Sequence, residues 1–193
     1  MKGGYVYSVV FILIVSVFFT TILAGANAFY RPKIENNEET ALKRSVLYAL
    51  GEDEDMDNSF KDIRKINIEG RDIYVKYNEK DSVISLAVPF SGPGLWGTIS
   101  GYMGISGELS AILGIAFTSQ NETPGLGGRI DEEWFKDQFR GLPVIKEREI
   151  SYGEQDSGSS IDAVTGATVT SRAVLKIINA TVKESFENLE VVK

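Results

Sequence analysis

The chain has no cysteine and no histidine among its 193 residues, and only five prolines. Without cysteine it can form no disulfide, thiolate metal site, iron–sulfur cluster or lipoprotein anchor. Without histidine, Ser-His-Asp catalysis, histidine-ligated zinc and histidine-ligated haem are excluded too. Positive charge is also short: 27 acidic against 20 basic residues leave a net charge of −7, which argues against a nucleic-acid partner. No G-x-G-x-x-G opens a helix after a strand. Gly92-Pro93-Gly94 does not qualify, because Pro93 and the following Leu95-Trp96 do not start a helix. Few routes to redox or hydrolytic chemistry remain, and a bound organic cofactor is the most direct.

Charge is absent altogether from Tyr5 to Tyr30. The apolar core from Val6 to Ala24 is long enough for a membrane-spanning helix, which needs about 20 residues. Tyr5, Tyr7, Phe29 and Tyr30 stand near its ends, where aromatic belts form. Residues 1–30 therefore read as a transmembrane anchor in contact with lipid. The competing reading is a cleaved signal peptide, since Ala26-Asn27-Ala28 resembles an A-x-A site. Signal cores run to about 7–15 residues, shorter than this one, which favours the anchor. Both readings imply export. Flanking charge does not set the orientation: Lys2 precedes the run, but Arg31, Lys33, Lys43 and Arg44 follow it.

Residues 31–37 read as a short polar linker and 38–193 as one domain. Leu42, Val46 and Leu50 share a face, so Glu38 to Leu50 is expected to be a helix, stopped by Gly51. The acidic run from Glu52 to Asp57 lacks EF-hand spacing and reads as a solvated loop. Ile66 and Ile68 alternate, Gly70-Arg71 turns, Ile73, Val75 and Tyr77 alternate, Asn78 to Asp81 turns, and Val83 to Val88 forms a third strand. This predicts an antiparallel meander. Ser91 to Gly97 breaks the pattern, and a segment punctuated by Gly101, Gly104 and Gly107 follows. Alternation of Leu109, Ala111, Leu113, Ile115 and Phe117 predicts a strand over Glu108–Thr118. A short helix over Asp131–Arg140, a strand over Ile145–Tyr152 and a polar loop over Glu154–Ser160 come next. The last helix is expected over Thr170–Leu189, with Val174, Ile177, Ile178, Thr181 and Phe186 on one stripe. The fold class is α+β: a single domain with an antiparallel sheet and flanking helices, preceded by one transmembrane helix.

Two constellations carry chemistry. Asp162-Ala163-Val164-Thr165-Gly166-Ala167-Thr168 stands directly before the last helix. It offers a hydroxyl on a tight turn at a helix entrance, where bare N–H groups and the helix dipole favour an anion. Gly166 and Ala167 carry no side chain that would block a bulky phosphate ester. Read alone, the segment is equally a turn and a helix cap. Further upstream is Gln120-Asn121-Glu122-Thr123-Pro124-Gly125-Leu126-Gly127-Gly128, whose Pro124-Gly125 makes a tight turn presenting Glu122 and Thr123. Read alone, this is a strand-to-helix loop.

Together these segments resemble a known flavoprotein family, the Rnf G subunits and the Nqr C subunits. The resemblance rests on DAVTGAT with the following Val169-Thr170-Ser171-Arg172-Ala173-Val174, on ETPGLG at Glu122 to Gly127, and on Gly94-Leu95-Trp96-Gly97. It covers the anchor and residues 91–180, while residues 31–90 match only in pattern. It implies FMN joined through its phosphate to the Thr168 oxygen, with Thr165, Gly166 and Ala167 around the attachment point. A dedicated flavin transferase would take the FMN from FAD. By the same resemblance, Leu95, Trp96 and Leu126 offer apolar contact to the flavin ring, and Thr123, Gly125 and Gly127 offer hydroxyl or backbone groups. Glu122 either tunes the flavin or braces its loop through backbone N–H groups, and Trp96 either stacks on the ring or plugs the core. TGATVTSRAV and the short length lean to the Rnf type, GLWG to the Nqr type. Gln120 stands where many Rnf G chains have histidine. The implied role is an electron-carrier subunit of an ion-translocating membrane oxidoreductase, most closely the Rnf type coupling ferredoxin and NAD. Its partners are the other subunits of that electron-transport complex, and its domain lies on the periplasmic side of the inner membrane. No residue is expected to be catalytic and none to bind metal. A reading from another class stands beside it: a non-redox exported binding domain, with TGAT as a plain phosphate or lipid headgroup site.

Overall fold

The computed structural model of the chain describes residues 3–52, 59–146, 148–153 and 160–188. Asp53 to Asp57 of the expected acidic loop, residues 154–159 of the expected polar loop, and Leu189 at the expected end of the last helix lie outside the described residues. The chain divides into two units, Met1–Ala41 and Leu42–Lys193.

The first unit is helical. Helix α1 runs Gly3–Leu50 without interruption, and its apolar part is long and apolar enough to cross a membrane, with none of that stretch buried. The polar segment 31–37, expected as a linker, is part of this helix. Polarity alone does not end a helix. Arg31 and Glu35 pair at i, i+4 across 2.9 Å, and the Thr40 hydroxyl donates to the Asn36 carbonyl at 2.8 Å. Pro32 is the one local breaker, at about 3 kcal/mol in a helix interior, and it does not outweigh the helix formers on both sides.

The second unit begins with the last turns of α1. Gly51 ends them as expected, at φ +79°: its N–H reaches the Tyr48 carbonyl at 3.1 Å, and Glu52 N–H reaches the Leu47 carbonyl at 2.9 Å. This pair of bonds is a Schellman stop. Five antiparallel strands follow in sequential order: β1 (Ile63–Ile68), β2 (Arg71–Tyr77), β3 (Val83–Pro93), β4 (Thr98–Ser106) and β5 (Ile112–Ser119). The first hairpin turns at Glu69-Gly70, one residue earlier than expected, with φ of +52° and +82°. Positive φ at both central residues is the type I′ turn that matches strand twist.

Three strand boundaries differ from expectation. β3 continues through Ser91-Gly92-Pro93, paired with β4 from Ser85↔Ser106 to Pro93↔Thr98. Its pairing with β2 stops at Tyr74↔Ala87, so Pro89 and Pro93 sit where β3 has a neighbour on one side only, the place a sheet tolerates proline. β5 starts at Ile112, not Glu108. Residues 108–111 form a turn in which Leu109 has φ +57° and the Ser106 hydroxyl accepts the N–H groups of Ser110 (3.0 Å) and Ala111 (3.2 Å). The described residues of the stretch Ile145–Tyr152 supply only an Ile145↔Arg148 bridge and a two-residue strand, β6 (Ser151–Tyr152), parallel to β7 (Ser160–Ile161). Asn179 takes the place of a strand neighbour there, its carboxamide bonding both the N–H and the C=O of Ile150 at 2.9 Å.

Further helices of this unit include a 3-10 turn at Gly127–Asp131, α2 (Glu133–Asp137) and α3 (Thr168–Asn188). The predicted stripe of α3 is buried at Val174, Ile177, Ile178 and Thr181, with Phe186 partly so. It packs with Phe135 and Phe139 against Val75, Leu86, Val88, Ile99, Met103 and Ile115 on one face of the sheet. The opposite face, carrying Tyr74 and Ala87, is covered by Val46, Leu47 and Leu50. Gly104 permits that contact: a Cβ there would lie 1.9 Å from the Ala49 carbonyl oxygen. The result is a helix–sheet–helix α+β domain, with the β3–β4 turn, the loop after β5 and the start of α3 brought together.

Candidate functional site

The entrance to α3 is a turn without a side-chain cap. Ala167 N–H donates to the Val164 carbonyl at 2.9 Å, and Gly166 has φ +79° at the third position, as a type II turn requires. The fully buried Ser171 hydroxyl accepts Val164 N–H at 3.0 Å and donates to the Ala167 carbonyl at 3.1 Å, locking the turn to the first helical turn. Asp162 is fixed through its backbone, its N–H donating to Gln138 Oε1 at 2.6 Å and its carbonyl accepting Gln138 Nε2 at 3.3 Å. The first bond back along the helix is Ser171 N–H to Ala167 at 3.0 Å. The N–H groups of Thr168, Val169 and Thr170 therefore have no acceptor among the described residues. Ala167, as the capping residue, offers no side-chain oxygen. Bare N–H groups and a helix dipole favour an anion here, and the Thr168 side chain stands exposed beside them.

Glu122 ties this entrance to two other segments. Its side chain is buried, at 4% exposure. Oε1 accepts the N–H groups of Leu95 (2.9 Å) and Trp96 (3.0 Å) in the β3–β4 turn, and Oε2 accepts the Thr170 hydroxyl in the first turn of α3. Gln120 Oε1 in turn holds Glu122 N–H at 2.8 Å. Two glycines make room for the carboxylate. A Cβ at Gly94 would lie 2.6 Å from Glu122 Oε1, and one at Gly127 would lie 2.7 Å from Thr170 Oγ1 and 2.9 Å from Glu122 Cβ. Of the two roles open to Glu122, bracing is the one the hydrogen bonds display.

These segments enclose a cleft of about 310 Å³, at the small end of ligand sites. Leu95, Trp96, Glu122, Thr123, Leu126, Gly127, Gly166, Ala167 and Thr168 all line it. Two expected residues do not. Thr165 stands exposed in the turn, and Gly125 shapes the loop at φ +75° with open space around it. Two lining residues were not anticipated, Val169 and Thr170. The available signal for Thr170 was the Thr170-Ser171 pair in the first turn of an amphipathic helix, where both hydroxyls turn inward. Trp96 is 70% exposed, so it is not a plug over the core. With Leu95 (52%), Leu126 (47%) and Val169 (57%) it forms an exposed apolar rim around Thr168. A phosphate at the bare N–H groups and a flat aromatic ring against this rim fit the donor set. Gly166 and Ala167 leave the approach to Thr168 clear.

Residues 94–183 match the family model of the FMN-binding domain, a span that contains every residue of this cleft. The C subunit of the Na(+)-translocating NADH-quinone reductase of Pasteurella multocida is 32% identical over 109 residues, 53% of this chain and 42% of that protein. The G subunit of the ion-translocating oxidoreductase complex of Shewanella piezotolerans is 29% identical over 171 residues, 82% of this chain and 79% of that protein. The crystal structure of Shewanella oneidensis NqrC has a similar fold, with a TM-score of 0.65 at 18% identity over 79% of this chain and 99% of that one. The chain spans half or less of the length of the NADH-quinone reductase relatives it matches, from 40% to 50%.

Proposed function

We propose, from the premise that residues 94–183 form the FMN-binding domain of the family that includes the Nqr C and Rnf G subunits, that Thr168 carries FMN as a phosphoester. The chain is then an electron-carrier subunit of an ion-translocating membrane oxidoreductase. The observation that carries this reading is one exposed hydroxyl at an uncapped helix entrance, ringed by apolar side chains. The three bare N–H groups at the start of α3 bind the phosphate, and Leu95, Trp96, Leu126 and Val169 contact the ring. Bound FMN supplies one- and two-electron chemistry. Glu122 holds the ring-contacting turn and the attachment helix in register. A dedicated flavin transferase makes the ester, and the apolar part of α1 holds the domain to the membrane on the periplasmic side, beside the other subunits.

The Rnf type is favoured over the Nqr type by coverage: the alignment takes in 79% of an Rnf-type G subunit but 42% of an Nqr-type C subunit. Coupling of ferredoxin and NAD to ion movement belongs to that assignment. The test is to coexpress the chain with a flavin transferase, purify it from membranes and map its mass. An FMN-sized increment on the peptide containing Thr168 is expected. Thr168→Ala abolishes it, and Thr165→Ala, outside the cleft, retains it. A colourless, unmodified product would favour the non-redox binding domain instead.

A further inference from the structure

The second unit has a larger cleft that the flavin reading leaves unused. It has a volume of about 590 Å³ and lies between residues 145–146 and 148–152 on one side and α3 on the other. Its floor is apolar, with Ile150, Leu175 and Val182 buried. Its rim is basic. Arg172, Lys176 and Lys183 stand at i, i+4 and i+11 on α3, all exposed, so they form one stripe. Eleven residues at 1.5 Å each make that stripe about 16 Å long. Arg148 faces it from the bridge after Ile145, and Ile145 is itself 46% exposed. Among the described residues, Glu149 is the single acidic residue lining the cleft. Arg148, Arg172, Lys176 and Lys183 form no ion pair with any described residue, although the chain as a whole carries a net charge of −7.

We propose that this cleft is a docking groove for an acidic, partly apolar peptide segment of a partner protein. Charge complementarity sets the sign of the occupant: exposed cations clustered on one groove of an otherwise acidic chain steer and hold an anionic surface. Length sets its form. A single small anion cannot reach both Arg172 and Lys183, whereas an extended acidic segment can. Concavity argues against a flat bilayer, and the apolar floor gives leucine-sized side chains a place to bury. Arg172 lies one helical turn beyond Thr168, so the occupant sits next to the proposed cofactor. The groove itself stands independently of that assignment, because none of its residues belongs to the flavin cleft.

The test uses the full chain in non-ionic detergent and a fluorescent 12-residue peptide of interspersed glutamates and leucines, read by anisotropy. Binding is expected to weaken more than tenfold between about 50 and 300 mM salt. It is expected to fall at least tenfold in the exposed-residue variant Arg148→Glu/Lys176→Glu/Lys183→Glu, and less steeply in the neutral variant Lys176→Gln/Lys183→Gln. A control with three reversals elsewhere, at Lys61, Arg64 and Lys80, should bind as the parent does. The proposal is overturned if the control loses binding equally, if a glutamine-for-glutamate peptide binds as well, or if the acidic peptide does not bind. It is also overturned if vesicles with 30% phosphatidylglycerol bind through these three side chains and the peptide does not, which would make the groove a lipid site.

Discussion

Replacing Glu122 by alanine removes one carboxylate and strands three donors: the N–H groups of Leu95 and Trp96 and the hydroxyl of Thr170. An unsatisfied buried donor costs about 1–3 kcal/mol. Each of the three pays near the lower figure: the two N–H groups belong to exposed residues that water can reach, and Glu122 and Thr170 both line the cleft, so the space left by the carboxylate admits water to the Thr170 hydroxyl. Allowing for that hydration, Glu122→Ala should cost about 3 kcal/mol, an estimate built on the same range. In a unit spanning Leu42–Lys193 this corresponds to a drop in Tm of roughly 6–12 °C. Glu122→Gln keeps a carbonyl oxygen for both N–H groups and gives up only the Thr170 bond, so it should lose about a third as much, near 1 kcal/mol. Thermal and chemical denaturation of both variants in detergent measure the difference. If alanine costs less than about 1 kcal/mol, or if glutamine is as damaging as alanine, the carboxylate does not clamp these segments together. A clamp also predicts that Glu122→Ala loads less flavin under conditions where the protein is still folded.

Two further outcomes follow from the packing and the titrating groups. Gly104→Ala places a Cβ against backbone, 1.9 Å from the Ala49 carbonyl oxygen, where no side-chain rotation relieves the clash, and should cost about 3 kcal/mol in denaturant titrations. Gly70→Ala is the matched comparison, since φ is +82° but nothing lies near, and it should cost about 1 kcal/mol. At high pH, burial pushes the hydroxyls of Tyr102, beside Tyr74, and of Tyr152 up to about 12, above the ordinary value of 10.0. Between those values the unfolded chain has released protons that the folded one retains. The contribution of these two tyrosines to stability should therefore be constant below about pH 10 and fall as pH rises from 10 towards 12, with two tyrosines titrating late by ultraviolet absorbance.

The strands of the meander were legible because their aliphatic residues, Ile66 and Ile68, Ile73 and Val75, and Leu86 and Val88, fall on alternate positions, although β2 and β3 also bury Tyr74, Ser85 and Ala87 on the opposite face. The signal failed where a turn was unusual or where pairing depended on residues distant in sequence. Leu109 is apolar and buried, so it looked like a strand residue in step with Leu113, yet it is buried from a turn at positive φ. Pro89 and Pro93 read as the end of a strand because their tolerance depends on which neighbours β3 has, and that is a property of the sheet. The strand expected over Ile145–Tyr152 depends on Asn179, 29 residues away from Ile150, a contact no local pattern encodes. In the cleft, the motif residues came together from three segments. The hydrogen bond between Glu122 and Thr170 links positions 48 apart, and it was invisible without the fold.

The shape of the cleft gives a physical reason for the proposed ester. A site of about 310 Å³ whose apolar rim is between 47% and 70% exposed covers only part of a flavin. Ligand sites that hold such molecules without a covalent bond commonly bury about 70–90% of their surface. Partial coverage leaves both ring and edge open to an electron partner, but it limits the affinity that contacts alone can supply. On the proposed periplasmic side, a dissociated flavin would be lost by dilution. A phosphoester at Thr168 removes dissociation from the balance, so the rim has only to orient the ring. The proposed anchor adds the matching constraint on the other side, since tethering to the membrane raises the effective concentration of the flavin near its partners without any new contact. The same reasoning predicts that free FMN, offered to Thr168→Ala, binds weakly and washes out on gel filtration. Retention of stoichiometric flavin by that variant would show that contacts suffice and that the ester serves another purpose.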